Sequence, residues 1–265
     1  MITTPCSRQD GACAITGTEA IDALELRLFD RVPSQTTADD RRSLLAVQRA
    51  VARHFGTYAY LEIGSHLGGS IQPHLLDPRC RRIYSIDPRP VHQPDDRGLE
   101  CHYPDNSTAR MIENLRAIHP DRVDRIETIE RTSRDVDPER IDDPPHLCFI
   151  DGEHTTAAVL ADVDFCRRVG RPDVSIVFHD ADVIWMALGR VLRQLARDGA
   201  DASAIVLGGS VVAIAFGDSP LRRDATIREL QRSKTRYFVR SAAYDLYRRG
   251  RRLFPDGATR PPTTR

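Results

Sequence analysis

Residues 147–154 read LCFIDGEH, an apolar run of strand length that ends abruptly in Asp151, Gly152, Glu153 and His154. A second apolar run, SIVF over 175–178, ends in His179 and Asp180. Carboxylates and imidazoles hold divalent cations and move protons near neutral pH. If the two runs are neighbouring parallel strands, their ends lie about 4.8 Å apart. Asp151, His179 and Asp180 can then converge on one ion or one substrate oxygen, with His154 three residues beyond Asp151. A plainer reading remains open, in which Asp151 caps the next helix and His154 is a hydrogen-bonded surface residue. Supply of one cluster by two strand ends favours a site. Glu153 and Asp182 read as solvated neighbours.

A second stretch with chemical potential is LEIGSHLGGS, residues 61–70. Glycines at a strand-to-helix turn let the backbone approach a ligand and aim amide groups at it. The turn reads E-x-G-x-x-x-G-G-S, not the G-x-G-x-x-G of dinucleotide-binding proteins. Its extra acid, Glu62, disfavours a pyrophosphate and favours a cationic group such as an α-ammonium. Asp87 ends the following apolar run and is placed to accept two ribose hydroxyls. A glycine turn alone can be a tight connection, but the acid and the second-strand Asp in register point to cofactor binding. His66, inside the turn, is read as a backbone contact and not a chemical group.

The elements that must position these residues alternate. Strands are expected at 59–63, 82–87, 125–130, 146–151 and 175–179, with helical spacing at 71–76, 108–118, 156–169 and 185–197. Such alternation implies a parallel sheet covered by helices on both sides. ASAIVLGGSVVAIAFG then reads as a hairpin adding antiparallel strands at the sheet edge. Two helices, 19–29 and 38–55, lead the chain; 91–105 reads as a polar loop. An amphipathic piece at 221–232 and an Arg- and Tyr-rich segment follow. The N-terminal helices and the 91–105 loop are the candidates for a lid.

Thirty-eight basic and 38 acidic residues balance, so no overall field favours nucleic acid or an anionic membrane. Lys234 is the single lysine. No run of roughly 18 apolar residues and no signal-peptide core is present, from which a soluble, cytoplasmic protein is expected. Six scattered cysteines without C-x-x-C pairing argue against a disulfide framework or structural zinc. Cys6 and Cys13 are read as free thiols, and the tail as a helix packing on the core or on a partner subunit, which leaves a homo-oligomer open.

From about Ala59 to Phe216 the chain resembles the class I S-adenosylmethionine-dependent methyltransferases. The resemblance implies a Rossmann-like α/β fold with a mostly parallel seven-stranded sheet and a C-terminal antiparallel hairpin. Residues 59–217 would be the core, 1–58 an N-terminal extension of the same domain, and 218–265 a helical tail. It places Glu62 and Gly64, with Ser65, Gly68, Gly69 and Ser70 of the turn, near the methionine moiety of the cofactor. Asp87 would hold the ribose, and Ser133, Arg134 and Asp135 lie where the adenine is usually contacted. FIDGEHTTAAVLADVDFCRRV followed by IVFHD resembles a subgroup that includes macrocin O-methyltransferase and cephalosporin hydroxylase-like proteins. By that resemblance Asp151, His179 and Asp180 are ligands of a divalent metal, magnesium first and manganese or iron as alternatives, and His154 is the general base. The implied activity is transfer of methyl to a hydroxyl of a small molecule or a sugar unit of a natural product.

Three positions depart from the pattern. His179 stands where magnesium would prefer oxygen, Thr156 where tyrosine is common, and Pro172-Asp173 where glycines are. Two other classes stay open: a metal-dependent, hydroxylase-like enzyme on the same fold, and a non-catalytic S-adenosylmethionine- or nucleotide-binding accessory protein.

Overall fold

The computed structural model describes residues 17–98 and 100–253. The sequence reading of Cys6 and Cys13 falls outside them. The chain begins with α1 (Gly17–Asp22) and α2 (Ala38–Phe55), then β1 (Tyr58–Ile63), α3 (Gln72–Leu76) and β2 (Cys80–Ile86). A small hairpin, β3 (His92–Pro94) and β4 (Glu100–His102), precedes α4 (Thr108–Ile118), β5 (Ile126–Ile129) and β6 (Leu147–Ile150). After α5 (Thr156–Val169), β7 (Ser175–Phe178) and α6 (Trp185–Arg197) come β8 (Ala202–Val206), β9 (Val212–Phe216), α7 (Ala225–Leu230) and α8 (Lys234–Leu253).

The main sheet has seven strands in the order β5-β2-β1-β6-β7-β9-β8. All pairings are parallel except those of β9, which runs against both β7 and β8. The edge strand β8 therefore points the same way as β7, so the hairpin contributes one reversed strand. This is the Rossmann-like order expected of the sequence. From β1 the chain moves outward through β2 to β5, then restarts at β6 on the other side of β1. The connections after β1 and β6 diverge there, which leaves a crevice at the carboxyl ends of these strands.

Period-two alternation sorts the strand side chains into two layers. Leu61, Ile63, Cys148, Ile150, Ile176 and Phe178 pack toward α5 and α6, in a core that Tyr237 of α8 joins. Tyr58, Tyr60, Leu147, Phe149 and Val177 pack toward α2, α3 and α4. Residues of α2 enter this second layer, which binds the N-terminal region into the same body.

Helix ends carry their own signals. Thr37 caps α2 and forms a capping box with Asp40; Thr155 caps α5. Three expectations are revised. The helix read over 19–29 breaks at Leu24, whose φ of 56° lies in the left-handed region, and resumes as a 3-10 turn at Leu26–Phe29. The 91–105 loop contains the β3–β4 hairpin, which its prolines and aspartates concealed. The 221–232 piece divides into a 3-10 turn at Pro220–Arg222 and α7. Among the described residues, no helix is long and apolar enough to cross a membrane.

Candidate active site

The crevice at the switch point spans about 600 Å³, open solvent at its mouth included. Gly64, Ser65, His66, Gly69 and Ser70 of the glycine turn form one wall, with Asp87 beside them; Asp151, His154 and Asp180 form another. Asp87 holds the turn in place. Its carboxylate accepts the His66 amide at 2.9 Å and the Arg89 amide at 2.8 Å, and pairs with the Arg89 guanidinium at 3.2 Å. The same guanidinium donates to the His66 carbonyl oxygen and to Asn106. Ser65 accepts a hydrogen bond from Ser85 of β2 at 2.7 Å.

Gly64 has a φ of 91°, and a Cβ there would lie 2.3 Å from the Asp151 carbonyl oxygen. The glycine turn and the acidic loop after β6 are therefore one close-packed unit. Gly68, also at positive φ, faces Leu115 and Met111 of α4 and not the crevice. Its role is to let the turn pack.

One ligand atom each from Asp151, His154 and Asp180 lie within 4.8 Å of one another. His154 Nε2 is buried, has no hydrogen-bond partner and stands 3.7 Å from Asp180 Oδ2. Asp180 adopts φ 47°, uncommon for a residue with a Cβ. Burial, with the Asp151 charge, raises its pKa against the opposing effect of His179.

His179 takes a different position from the one its spacing implies. Its ring is buried behind the cluster, with Nδ1 3.2 Å from Asp151 Oδ1 and Nε2 3.6 Å from Asp40 Oδ2. Burial pulls its pKa down, but Asp151, Asp40 and Asp180 outweigh that and raise it to about 11. Both ring nitrogens of His179 face carboxylates and its ring lies behind the group of Asp151, His154 and Asp180, so here it buttresses Asp151. Asp40, which accepts the Ser210 amide at 2.7 Å, anchors the far side; Asp40 gave no signal in the sequence beyond its capping position.

Three further expectations change. Glu62 is fully buried beneath the turn, where it accepts hydrogen bonds from Tyr60 at 2.6 Å and from Ser70. The side-chain period places Tyr60 and Glu62 on the same face of β1, toward α2 and α3, away from the crevice. Glu62 therefore orients Ser70, which does reach the crevice. Ser133 is buried with its hydroxyl donated to Asp162 of α5 at 2.5 Å, and Arg134 is exposed; neither lines the crevice.

Burial raises the Glu62 pKa to about 8, against the hydrogen bonds from Ser70 and Tyr60. The folded chain then keeps a proton that the unfolded chain releases near pH 4.5. The Glu62 contribution to stability must fall as pH rises from about 4.5 to about 8. Thermal melts from pH 5 to 8 are expected to show a decline that Glu62→Gln flattens. An unchanged slope in the variant would dismiss a protonated Glu62.

Two segments complete the enclosure. From the N-terminal side, Pro33, Ser34, Gln35 and Thr36 line the crevice. The buried Gln72 side chain ties this strap down: it accepts the amides of Arg31 and Val32 and donates to the carbonyls of Phe29, Val32 and Gly69. From the other side, Gln93, Tyr103 and Asn106 reach in. The β3–β4 hairpin is fastened over the site by an Asp95–His154 backbone bridge and by Asp96, which accepts the Thr156 amide at 2.7 Å. Thr156, where a tyrosine was expected, is committed to that fastening. Tyr103 and Gln93 had no motif to mark them; only the polarity of their loop did.

Comparisons with known proteins fit this geometry. A family model described as "Methyltransferase domain" matches residues 61–181. A calicheamicin methyltransferase structure is 16% identical, with a TM-score of 0.51 over 76% of this chain and 93% of its own. A second, apo structure, described as a TDP-rhamnose 3'-O-methyltransferase of calicheamicin biosynthesis, is 17% identical, with a TM-score of 0.50 over 76% and 94%. The O-methyltransferase TomG from Streptomyces achromogenes, involved in tomaymycin synthesis and in complex with S-adenosylmethionine, is 16% identical with a TM-score of 0.48 over 77% and 92%. No curated protein matches by sequence. At such identities the structural likeness establishes the fold, and the family match assigns the domain. Residues 61–181 match a methyltransferase domain, and the fold that surrounds them is the one this chain shares with the calicheamicin methyltransferase.

Proposed function

We propose that this chain methylates a hydroxyl oxygen, assisted by a divalent cation. The observation that carries the reading is the convergence of Asp151, Asp180 and an unpartnered, buried His154 Nε2 on the wall of the same crevice as the glycine turn. S-adenosylmethionine, when bound, supplies an electrophilic methyl group on a sulfonium centre. The glycine turn, Ser70 and Asp87 would hold it on their side of the crevice, across from the acid–histidine wall. A hydroxyl is a poor nucleophile until it loses its proton, and a basic nitrogen aimed into the crevice answers that need.

His154 Nε2 would take the proton, and Asp180, 3.7 Å away, would stabilise the resulting imidazolium. His179 keeps Asp151 oriented from behind. The two carboxylates fit a hard cation such as magnesium, which is bound through one or two carboxylates with waters completing its shell. The chemistry a cation supplies there is stabilisation of negative charge on oxygen. Inclusion of the His154 imidazole as a ligand would shift the preference toward manganese or iron. Enclosure by the strap and hairpin sets the acceptor against the methyl group, and such positioning is a large part of the rate. A small molecule or sugar unit suits a crevice of this size.

A redox role with His179 as a metal ligand is not favoured, because both its ring nitrogens face carboxylates. Calorimetric titration with S-adenosylhomocysteine and S-adenosylmethionine, beside an NAD control, tests the cofactor assignment; NAD binding alone would overturn it. Turnover of hydroxylated acceptors is expected to cease in EDTA and return with Mg²⁺ or Mn²⁺, and full activity after metal removal would dismiss the cation. His154→Ala is expected to lower kcat about 10²-fold with metal affinity nearly unchanged. Loss of metal affinity in that variant would make His154 a ligand and not the base.

A further inference from the structure

A second concavity, of about 740 Å³, lies between the start of α8, the β8–β9 connection and the first turn of α2. Arg232, Arg236 and Arg240 line it, four residues apart and therefore along one side of the chain as it enters and follows α8. Gly208 and Gly209 line it with bare backbone, and Asp39 is its acidic member. Asp39 stands 3.7 Å from Arg42, a residue outside the groove. Among the described residues, no salt bridge joins a carboxylate to Arg232, Arg236 or Arg240, whereas other arginines of the chain reach acids far away in sequence, as Arg53 does with Asp22 and Arg81 with Asp143.

Like charges at this spacing repel one another, and Asp39 is the single carboxylate on the groove lining against three guanidinium groups. Guanidinium groups present planar, paired donors matched to phosphate oxygens. We infer that this groove binds a phosphoryl or diphosphoryl group, and that the group belongs to the acceptor of methyl transfer.

The topology supports the second half of that inference. Because β8 runs parallel to β7, the connection after β8 emerges on the same sheet edge as Asp180. Two strand spacings, about 10 Å, separate the ends of β7 and β8. A sugar hydroxyl at the acid–histidine wall and a diphosphate on the same molecule span that order of distance. The groove is also tied to the site by contact. Tyr237, on its α8 side, donates its hydroxyl to the Ala181 carbonyl oxygen at 2.5 Å, one residue beyond Asp180. Ser210, next to the two glycines, binds Asp40, which faces His179.

The assignment of the phosphoryl group to the acceptor rests on the O-methylation reading; the groove itself does not. The full chain is titrated calorimetrically with inorganic pyrophosphate and with uridine 5'-diphosphate, in EDTA so that no cation recruits them elsewhere. Both are expected to bind, more weakly at higher salt. The double variant Arg236→Gln/Arg240→Gln should weaken binding at least tenfold, Arg228→Gln on α7 should not, and S-adenosylhomocysteine affinity should stay the same in all three proteins. Equal affinity in the double variant overturns the groove, as does binding of a long polyanion such as heparin with neither small probe. Failure of S-adenosylhomocysteine to bind, with pyrophosphate retained, would instead strike the methyl-transfer reading and leave the groove standing. The acceptor link is tested with nucleoside diphosphate sugars against the free sugars: methylation of the free sugars at equal KM overturns it, and a KM raised tenfold in the double variant supports it.

Discussion

Asp151→Asn is expected to lower kcat by about 10³-fold while leaving the affinity for S-adenosylhomocysteine within about twofold. The substitution keeps the size and shape of the side chain but removes one of the two carboxylate charges at the crevice wall. It also withdraws the charge that His179 Nδ1 faces at 3.2 Å, so the buried His179 ring loses the strongest of the influences that raise its pKa. The loss therefore falls on the chemical step, and the glycine turn across the crevice is left intact. Single-turnover kinetics in parallel with calorimetry separates the two effects. A variant that retains more than a tenth of wild-type turnover would remove Asp151 from the chemistry. A variant that loses cofactor affinity to the same extent would show that Asp151 serves binding.

Gly64→Ala is expected to destabilise the fold by about 3 kcal/mol, a drop of roughly 10 °C in melting temperature for a chain of this size. Two independent costs add. A side chain at φ 91° is strained, and its Cβ would enter the backbone of Asp151 and Gly152, at 2.3 Å from the Asp151 carbonyl oxygen and 2.6 Å from the Gly152 Cα. Backbone cannot rotate away as a side chain can, so the acidic loop must shift. The surviving folded fraction should bind S-adenosylhomocysteine at least tenfold more weakly and turn over more slowly still, since both walls of the crevice are displaced. A melting temperature within 2 °C of the wild type would mean that the two loops are not coupled through this contact.

Much of the fold was legible because its signals are local. Apolar runs of strand length separated by helical spacing forced a parallel α/β sheet, and the helical spacing over 38–55 and 156–169 marks two helices that the structure keeps, with Thr37 and Thr155 as their caps. The β3–β4 hairpin was not legible: each of its strands has three residues, too few to carry a period. The break at Leu24 was hidden as well, because a leucine in the left-handed region is imposed by packing and not by residue type.

The site divides along a similar line. By itself the sequence determined that Asp151 and the His179-Asp180 pair end two strands, that a glycine turn follows a third, and that Asp87 ends a fourth, because strand length and alternation fix where each run stops. Only the tertiary structure decided which face each side chain takes and what lies behind it. Glu62 turned inward to Tyr60 because both belong to one face of β1. His179 turned toward Asp40, a residue 139 positions earlier in the chain, which becomes its neighbour only when α2 packs beside the β8–β9 connection. Direction along a strand is a property of the local chain; the partner found across a sheet or under a helix is a property of the whole packed body.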